Sequence, residues 1–562
     1  MSKNLLDTKD YIVFFIYFII VAAYGLYIYN KKKSASAGSK DYFLAEGSLT
    51  WWAIGASLIA SNISAEQFIG MSGSGFKMGL AIATYEWMAA ATLIVVAVFF
   101  IPVYLKNRIF TMPQFLHQRY NSTVAMIMAV FWLLLYIVVN LTSILYLGAL
   151  AVSSISGFDI NLCMYAIAAF AIIITLGGMK VIGYTDVIQV FFLILGGLAT
   201  TYLALNLVSE HYGAEGILRG YAVMTQKASE HFHMILKPDN ESYIDLPGLT
   251  VLAGGMWIVN LNYWGCNQYI TQRALGADLN TARGGIQVGA FLKLLMPVIV
   301  VLPGIAAYVL YKDGAFQTEM LQDGTINPDR AYPVLLNLLP AGLKGLSFAA
   351  LTAAVVASLA GKANSIATIF TLDIYQKAIK KEASERNLVM VGKITIIVAM
   401  ILGVVIAPHL GIDKKGGFQF IQEYTGFFSP GIFAMFILGF FWKKTTSNAA
   451  LFATLGGFSL SVLLKKLPLI IDLEFLQAFG FSKLVKQENG TMLYEIPFLD
   501  RMGFVFLFCA LGMYIISTIE NKKGVSPKGL EVDPSMFKTT RSFAVGALII
   551  IGILVALYTV YW

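Results

Sequence analysis

The sequence predicts an all-α polytopic membrane protein of fourteen transmembrane helices, two of them discontinuous, around a five-plus-five inverted-repeat core. Three observations carry this prediction. Of 562 residues, 58% are hydrophobic and 13% charged, where a soluble domain is about 25% charged. The apolar residues gather into runs near the ~20 needed to cross ~30 Å of hydrocarbon. Two of those runs carry polar residues at their centres, which lipid tolerates only where the helix breaks inside protein.

The runs lie at about 10–29, 51–73, 80–103, 125–156, 162–179, 184–207, 248–268, 284–310, 342–375, 389–408, 420–441, 446–464, 500–518 and 542–561. The first begins at Tyr11, is too long for a signal peptide and lacks a small-residue cleavage site, so it is expected to stay as a span. The second opens on Trp51 and Trp52, suited to the membrane interface, and then meets Ser61, Asn62, Ser64, Glu66 and Gln67. A helix that unwinds there frees backbone carbonyls for a cation and side chains for a polar solute. The runs 125–156 and 342–375 exceed a bilayer width and are expected to tilt or emerge. The second interrupted run, 250–268, has a Gly254-Gly255 pair and the amides Asn260, Asn262, Asn267 and Gln268.

Four runs separate the interrupted pair. That spacing implies inverted repeats over about 51–207 and 248–441 with the solute site between them, and peripheral helices at 10–29 and 446–561, all within one transporter domain spanning 1–562. Basic residues set the orientation. With the N-terminus outside, the inner loops carry Lys31, Lys32, Lys33, Lys40, Lys106, Arg108, Arg119, Lys180, Arg273, Arg283, Lys377, Lys380, Lys381, Arg386, Lys393, Lys443, Lys444, Lys522, Lys523, Lys528, Lys538 and Arg541. Both termini are therefore expected outside the cytoplasm. The long outer loops, 208–247 and 465–499, are expected to carry short helices or cover the outer mouth.

Composition also excludes other classes. The net charge of +8 follows from basic residues sorted by loop, so it does not point to nucleic acid. Cys163, Cys266 and Cys509 are too few and too scattered for a disulfide framework or a metal cluster. His231 and His233 have no acidic partner at a ligand spacing, and no motif suggests an enzyme.

Taken together, 41–45 (DYFLA), 56–75 (ASLIASNISAEQFIGMSGSG), 85–88 (YEWM), 139–143 (VNLTS), 185–192 (TDVIQVFF), 262–273 (NYWGCNQYITQR), 290–294 (AFLKL), 368–375 (TIFTLDIY) and 420–432 (FIQEYTGFFSPGI) resemble the sodium:solute symporter family, and within it the bacterial sodium/glucose–galactose cotransporters. The resemblance covers nearly the whole chain with its motifs in order. It implies sodium-coupled symport of a hexose in the bacterial plasma membrane, with no cofactor beyond the coupling sodium ion and no nucleic-acid or obligate protein partner.

By that resemblance the sugar-contacting positions are Gln67, Glu86, Asn260, Lys293 and Gln422, with Asn62 close by; Tyr263 with Trp264 forms the inner gate, and Met71, Tyr85 and Phe418 the outer cover. The residues argue alongside it. Glu86 and Lys293 are ionisable groups inside apolar spans, so they are expected to share a cavity or partners; as a purely structural matter they would be a buried ion pair. Ala89 stands where relatives place a serine near the sugar, so glucose, galactose, another hexose and a cyclic polyol all stay open.

The resemblance places a sodium ion on the carbonyls of Ala60, Ile63 and Ala354 and the hydroxyl of Ser358; the first residue of the family's serine pair is Ala357 here. Asp186 matches an aspartate linked to a second cation or to coupling in some relatives, or simply pairs with Lys180. Lys362, at an uncharged family position, lies four residues beyond Ser358 and shares its face. Two readings of it stand: an ammonium reaching the cytoplasmic water, or one that occupies or repels the cation position and makes transport sodium-independent or proton-coupled. The remaining alternatives are the same fold carrying a sialic acid, amino acid or vitamin, and a membrane sugar sensor.

Overall fold

Helix Trp51–Asn62 stops where Ile63 turns extended (φ −79°, ψ 109°), and helical structure resumes at Glu66 as a π-helical turn running to Met71. The break therefore falls inside the polar cluster, as expected. The computed structural model describes residues 6–31, 49–176, 179–322, 324–409, 416–487 and 490–562. Lys32, Lys33, Lys40 and the 41–45 motif lie outside the described residues.

The second expected break is present as a 79° bend between Glu241–Ala253 and Gly255–Gly265. A third was not expected: 420–441, read as one span, is Gly417–Gly426 and Ser429–Phe441 meeting at 52°. Pro430, in the first turn of the second piece, has no N–H with which to carry the hydrogen-bond ladder back across the junction, and it fits a helix that starts there.

Among the described residues nine helices are long and apolar enough to cross a membrane, or up to eleven if each bent pair is one span. Reaching fourteen needs Thr8–Lys31 together with the short helices Trp51–Asn62, of 12 residues, and Ile160–Thr175, of 16. The spans are helical, but the loops are not purely so. Leu321–Gln322 pairs with Thr325–Ile326, and Lys483–Lys486 with Met492–Glu495 in register Lys483↔Glu495. The second hairpin sits in the loop 465–499, which also carries the short helix Glu474–Phe479, and the loop 208–247 holds Ile217–Lys227.

The chain divides into two compact units, one made of Met1–Glu86, Trp132–His233 and Gln272–Ile421, the other of Trp87–Phe131, Met234–Thr271 and Gln422–Trp562. In the first, helix Leu343–Ile379 is buried over 89% of its most apolar stretch, whereas Glu385–His409 is buried over 28% and turns Ile394, Val398, Ile401 and Val405 outward. One is a core helix and the other suits lipid. Asp10 Oδ1 accepts the backbone N–H of Gly342 (2.7 Å) and Gly345 (2.9 Å), capping the core helix with a carboxylate that its dipole favours. Tyr17 and Val21 pack on Ala349 and Ala353 of the same helix. Gly304 lets helix Leu279–Lys312 approach the Ser72 carbonyl so closely that a Cβ would overlap it, the small-residue contact typical of membrane helix pairs.

The second unit is held by aromatic packing, with Phe115 stacked on Phe436 (4.5 Å) and edge-on contacts from Tyr104 and Phe100 to Phe440. Arg119, counted above among the loop charges, is instead buried and donates to the carbonyls of Gly439, Trp442 and Thr445 at the end of helix Ser429–Phe441. It satisfies orphan carbonyls at the negative end of a helix dipole. The thiols of Cys163, Cys266 and Cys509 are free and buried.

Candidate functional site

Lys293 lies in the long helix Leu279–Lys312, with its side chain 1% exposed. Its ammonium sits 2.5 Å from Glu86 Oε2 and also donates to Asn62 Oδ1. Three elements supply these groups for local reasons. Asn62 closes the first half of the broken span. Glu86 stands in the first turn of helix Thr84–Val95, after helix Ser72–Met78 ends at Gly79 (φ 71°). That glycine is required twice over, by its left-handed φ and by the His231 backbone that a Cβ would overlap. The two buried charges expected to share partners do so. A carboxylate, an ammonium and an amide in one low-dielectric cluster offer both donors and acceptors to a hydroxylated solute.

Gln67 Oε1 accepts the Ser64 N–H (3.0 Å) and so helps satisfy the backbone freed by the break. Of the expected outer cover, Tyr85 and Phe418 meet edge to face at 4.9 Å, Met71 is fully buried, and Phe418 packs against Gly70 beyond the break. Asn260, Tyr263, Trp264 and Gln422 belong to the second unit. There Asn260 donates to the Met256 carbonyl of its own helix (3.2 Å), Asn262 donates to Ser429 Oγ (3.1 Å), and Tyr263 lies edge-on to Trp264 at 5.1 Å.

For the cation, Ala60, Ile63, Ala354 and Ser358 are all buried, and Ser358 Oγ is 3.4 Å from the Ser61 carbonyl. The core helix therefore meets the broken span at Ser61, a residue next to the expected Ala60. Among the described residues no three His, Cys, Asp or Glu side chains converge as a metal cluster; carbonyls and a hydroxyl are donors suited to a hard monovalent ion.

The structure corrects two readings. Lys362 does not reach cytoplasmic water: it is 3% exposed, donates to Asn140 Oδ1 at 3.2 Å and lies 5.5 Å from the centre of the Tyr136 ring. Arg273, read as a loop charge, is also buried. Its Nη1 is 2.7 Å from Asp186 Oδ2 and donates to Ser57 Oγ, and Ser57 in turn donates to Asp186 at 2.7 Å. Of this triad sequence reasoning singled out only Asp186. A signal was available in the Gln272-Arg273 pair that ends the 262–273 motif, since Gln272 also turns inward to bond Ser365 at 2.9 Å. Asp329, in the connection before the core helix, was missed entirely. Its Oδ2 accepts the Gly417 N–H at 2.7 Å, at the start of the helix carrying Phe418, while its Oδ1 is buried without a hydrogen-bond partner.

A broken span beside a buried core helix, with a polar cluster at the break, defines an ion-coupled secondary transporter. The chain belongs to the sodium:solute symporter family, whose model matches residues 42–457. It is similar to a sodium/glucose cotransporter of Vibrio parahaemolyticus, at 45% identity over 561 residues and 98% of each chain. It is also similar to sodium/myo-inositol cotransporter 2 of Homo sapiens, at 33% identity over 491 residues, covering 84% of this chain and 71% of the relative. A solved structure of a Na+-coupled sialic acid symporter, substrate-bound and outward-open, shares the fold with a TM-score of 0.75 at 22% identity, covering 94% of this chain and 100% of that one. The protein is thus a membrane transporter and not an enzyme, and it moves a small polar solute together with sodium.

Proposed function

We propose that the protein takes up a hexose such as glucose or galactose with sodium, by alternating access, across a bacterial plasma membrane. The observation that carries this reading is Lys293 bonded to both Glu86 and Asn62 inside an apolar span, in a chain 45% identical to a protein named a sodium/glucose cotransporter. Glu86 and Asn62 accept from sugar hydroxyls, Lys293 and Gln67 donate, and Asn260 and Gln422 add amides. Met71, Tyr85 and Phe418 form the outer cover, and Tyr263 with Trp264 the inner gate. Sodium on the carbonyls of Ala60, Ile63 and Ala354 and on Ser358 holds the broken span against the core helix; inward opening separates these ligands and releases both solutes. Fourteen spans in a five-plus-five inverted repeat, with both termini extracytoplasmic, complete the proposal.

A second reading, a cyclic polyol as the solute, is favoured by Ala89 in place of a serine and by the similarity to sodium/myo-inositol cotransporters. Uptake of labelled glucose, galactose and myo-inositol into proteoliposomes, with and without a sodium gradient, tests both. Sodium-driven glucose or galactose accumulation supports the first reading. Accumulation of myo-inositol alone supports the second, and accumulation that is equal in sodium, potassium and choline contradicts sodium coupling.

A further inference from the structure

Glu423 stands beside Gln422 and takes no part in the solute or sodium sites proposed above. Its Oε1 lies 2.9 Å from Lys465 Nζ and accepts from Arg501 Nη2 at 3.1 Å. Lys465 belongs to the last turn of helix Gly457–Lys466, and Arg501 to the first turn of helix Phe498–Lys522. The same ammonium donates to Glu495 Oε2 (3.1 Å) on the hairpin strand Met492–Glu495, and Glu495 Oε1 accepts from Gln487 (2.7 Å). Two cations and two carboxylates balance, with the Arg501 side chain only 6% exposed.

These ties fall on a helix that needs them. Gly417–Gly426 has 10 residues and parts from Ser429–Phe441 at 52°, and so short a helix takes its hold from tertiary contacts. Gly426 shares a face with Glu423, three residues before it, and packs on Met502; the Phe427 ring follows, 5.4 Å from the Arg501 guanidinium. That face is therefore seated on the start of helix Phe498–Lys522. Across the bend, Ser429 donates to the Thr425 carbonyl (3.0 Å) and accepts from Asn262, on the helix that carries Asn260. Successive helical residues point about 100° apart, so fixing Glu423 fixes the rotation of the whole short helix. Tyr424, one step on, is 44% exposed. Gln422, one step back, is thereby held about 160° from Tyr424, on the side turned away from it.

Resting on the reading that Gln422 contacts the solute, we propose that Glu423 is its positioning residue. The pairs with Lys465 and Arg501 set the helix rotation that presents the Gln422 amide, and the Lys465–Glu495 bond makes the 483–495 hairpin part of the same support.

The test is a double-mutant cycle on the purified full-length protein, by isothermal titration with glucose, over Glu423→Gln, Gln422→Ala and the two combined. Glu423→Gln is expected to weaken glucose binding roughly fivefold, the worth of about one hydrogen bond. The combined variant is expected to bind no more weakly than Gln422→Ala alone, to within about twofold, because the first change acts only through the second residue. Sodium affinity measured without sugar is expected to stay at the wild-type value. Losses that multiply in the combined variant overturn the proposal, as does a parallel fall in sodium affinity, which marks a general loosening of the fold. Unchanged affinity in Glu423→Gln beside a loss in Gln422→Ala overturns it and leaves the role of Gln422 standing. No loss in Gln422→Ala removes that role, and the proposal with it. Should Glu423→Gln fail to fold, Lys465→Met decides: glucose binding is expected to weaken about threefold, with no further loss on the Gln422→Ala background, and unchanged affinity overturns the proposal.

Discussion

Arg273 Nη1 lies 2.7 Å from Asp186 Oδ2 with both side chains out of solvent, and Ser57 of the broken span bonds to both. Three helices are joined by one charge pair. Replacing Asp186 by Asn leaves Arg273 buried without its counter-charge, a change that costs about 3–5 kcal/mol. Replacing both, as Asp186→Asn/Arg273→Met, is expected to recover a large part of that loss. Thermal unfolding of the single and double variants in detergent measures it; losses that simply add would mean the two groups are not coupled.

Glu86 and Lys293 carry the same arithmetic, with a second readout. Glu86→Gln and Lys293→Met are each expected to destabilise the fold, and the double variant to regain stability without regaining solute. If the proposed solute site is right, Gln67→Ala, Asn260→Ala and Gln422→Ala are each expected to remove hydrogen-bond partners from a desolvated hydroxyl, about 1–3 kcal/mol, or roughly 5- to 150-fold in Kd. Isothermal titration with glucose reads the loss. Retained affinity in all three amide variants would place the solute elsewhere.

Ser358 offers the sharpest ion test. Its hydroxyl faces the Ser61 carbonyl at 3.4 Å, so the core helix is seated against the broken span where the sodium site is proposed. Ser358→Ala is expected to abolish sodium-dependent uptake, while Ala357→Ser, which adds an oxygen on the same turn, is expected to lower the half-saturating sodium concentration. Uptake measured against sodium concentration separates the two effects.

Polar residues inside apolar runs were legible because lipid makes them expensive. Asn62, Glu66 and Gln67 announced the first break, Gly254-Gly255 the second, and the need of Glu86 and Lys293 for partners foretold their pairing. Tertiary choices were not legible. Lys362 has a stem long enough for either water or the interior, and only the placement of Asn140 and Tyr136 decides for the interior. Arg273 and Arg119 read as loop charges because they lie on the short helices Gln268–Leu275 and Met112–Arg119 between spans, and the sequence does not show that these helices turn a charged side chain inward. The bend at Pro430 escaped because its two pieces together have the length and hydropathy of one span.

Asp329 predicts a pH dependence. Burial raises its carboxyl from 3.8 to about 7, against the opposing bond from Gly417 N–H. Between those pH values the folded state keeps a proton that the unfolded chain has released, so stability falls as pH rises through this window. Asp329→Asn is expected to flatten that slope, removing a contribution on the order of a few kcal/mol. Melting temperature measured from about pH 4 to pH 7 checks it; parallel curves for variant and wild type would contradict the assignment.

The burial of Cys163, Cys266 and Cys509 makes the native chain nearly silent to impermeant thiol reagents. A cysteine introduced at Trp562, which is 59% exposed, would be a lone reporter without the wild-type thiols having to be stripped out first. If the C-terminus faces outward, that position reacts in intact cells; protection there, with reaction after lysis, would reverse the proposed orientation. The same silence suits the protein to spin or fluorophore labels, so its conformational cycle can be followed in a background altered at the labelled position alone.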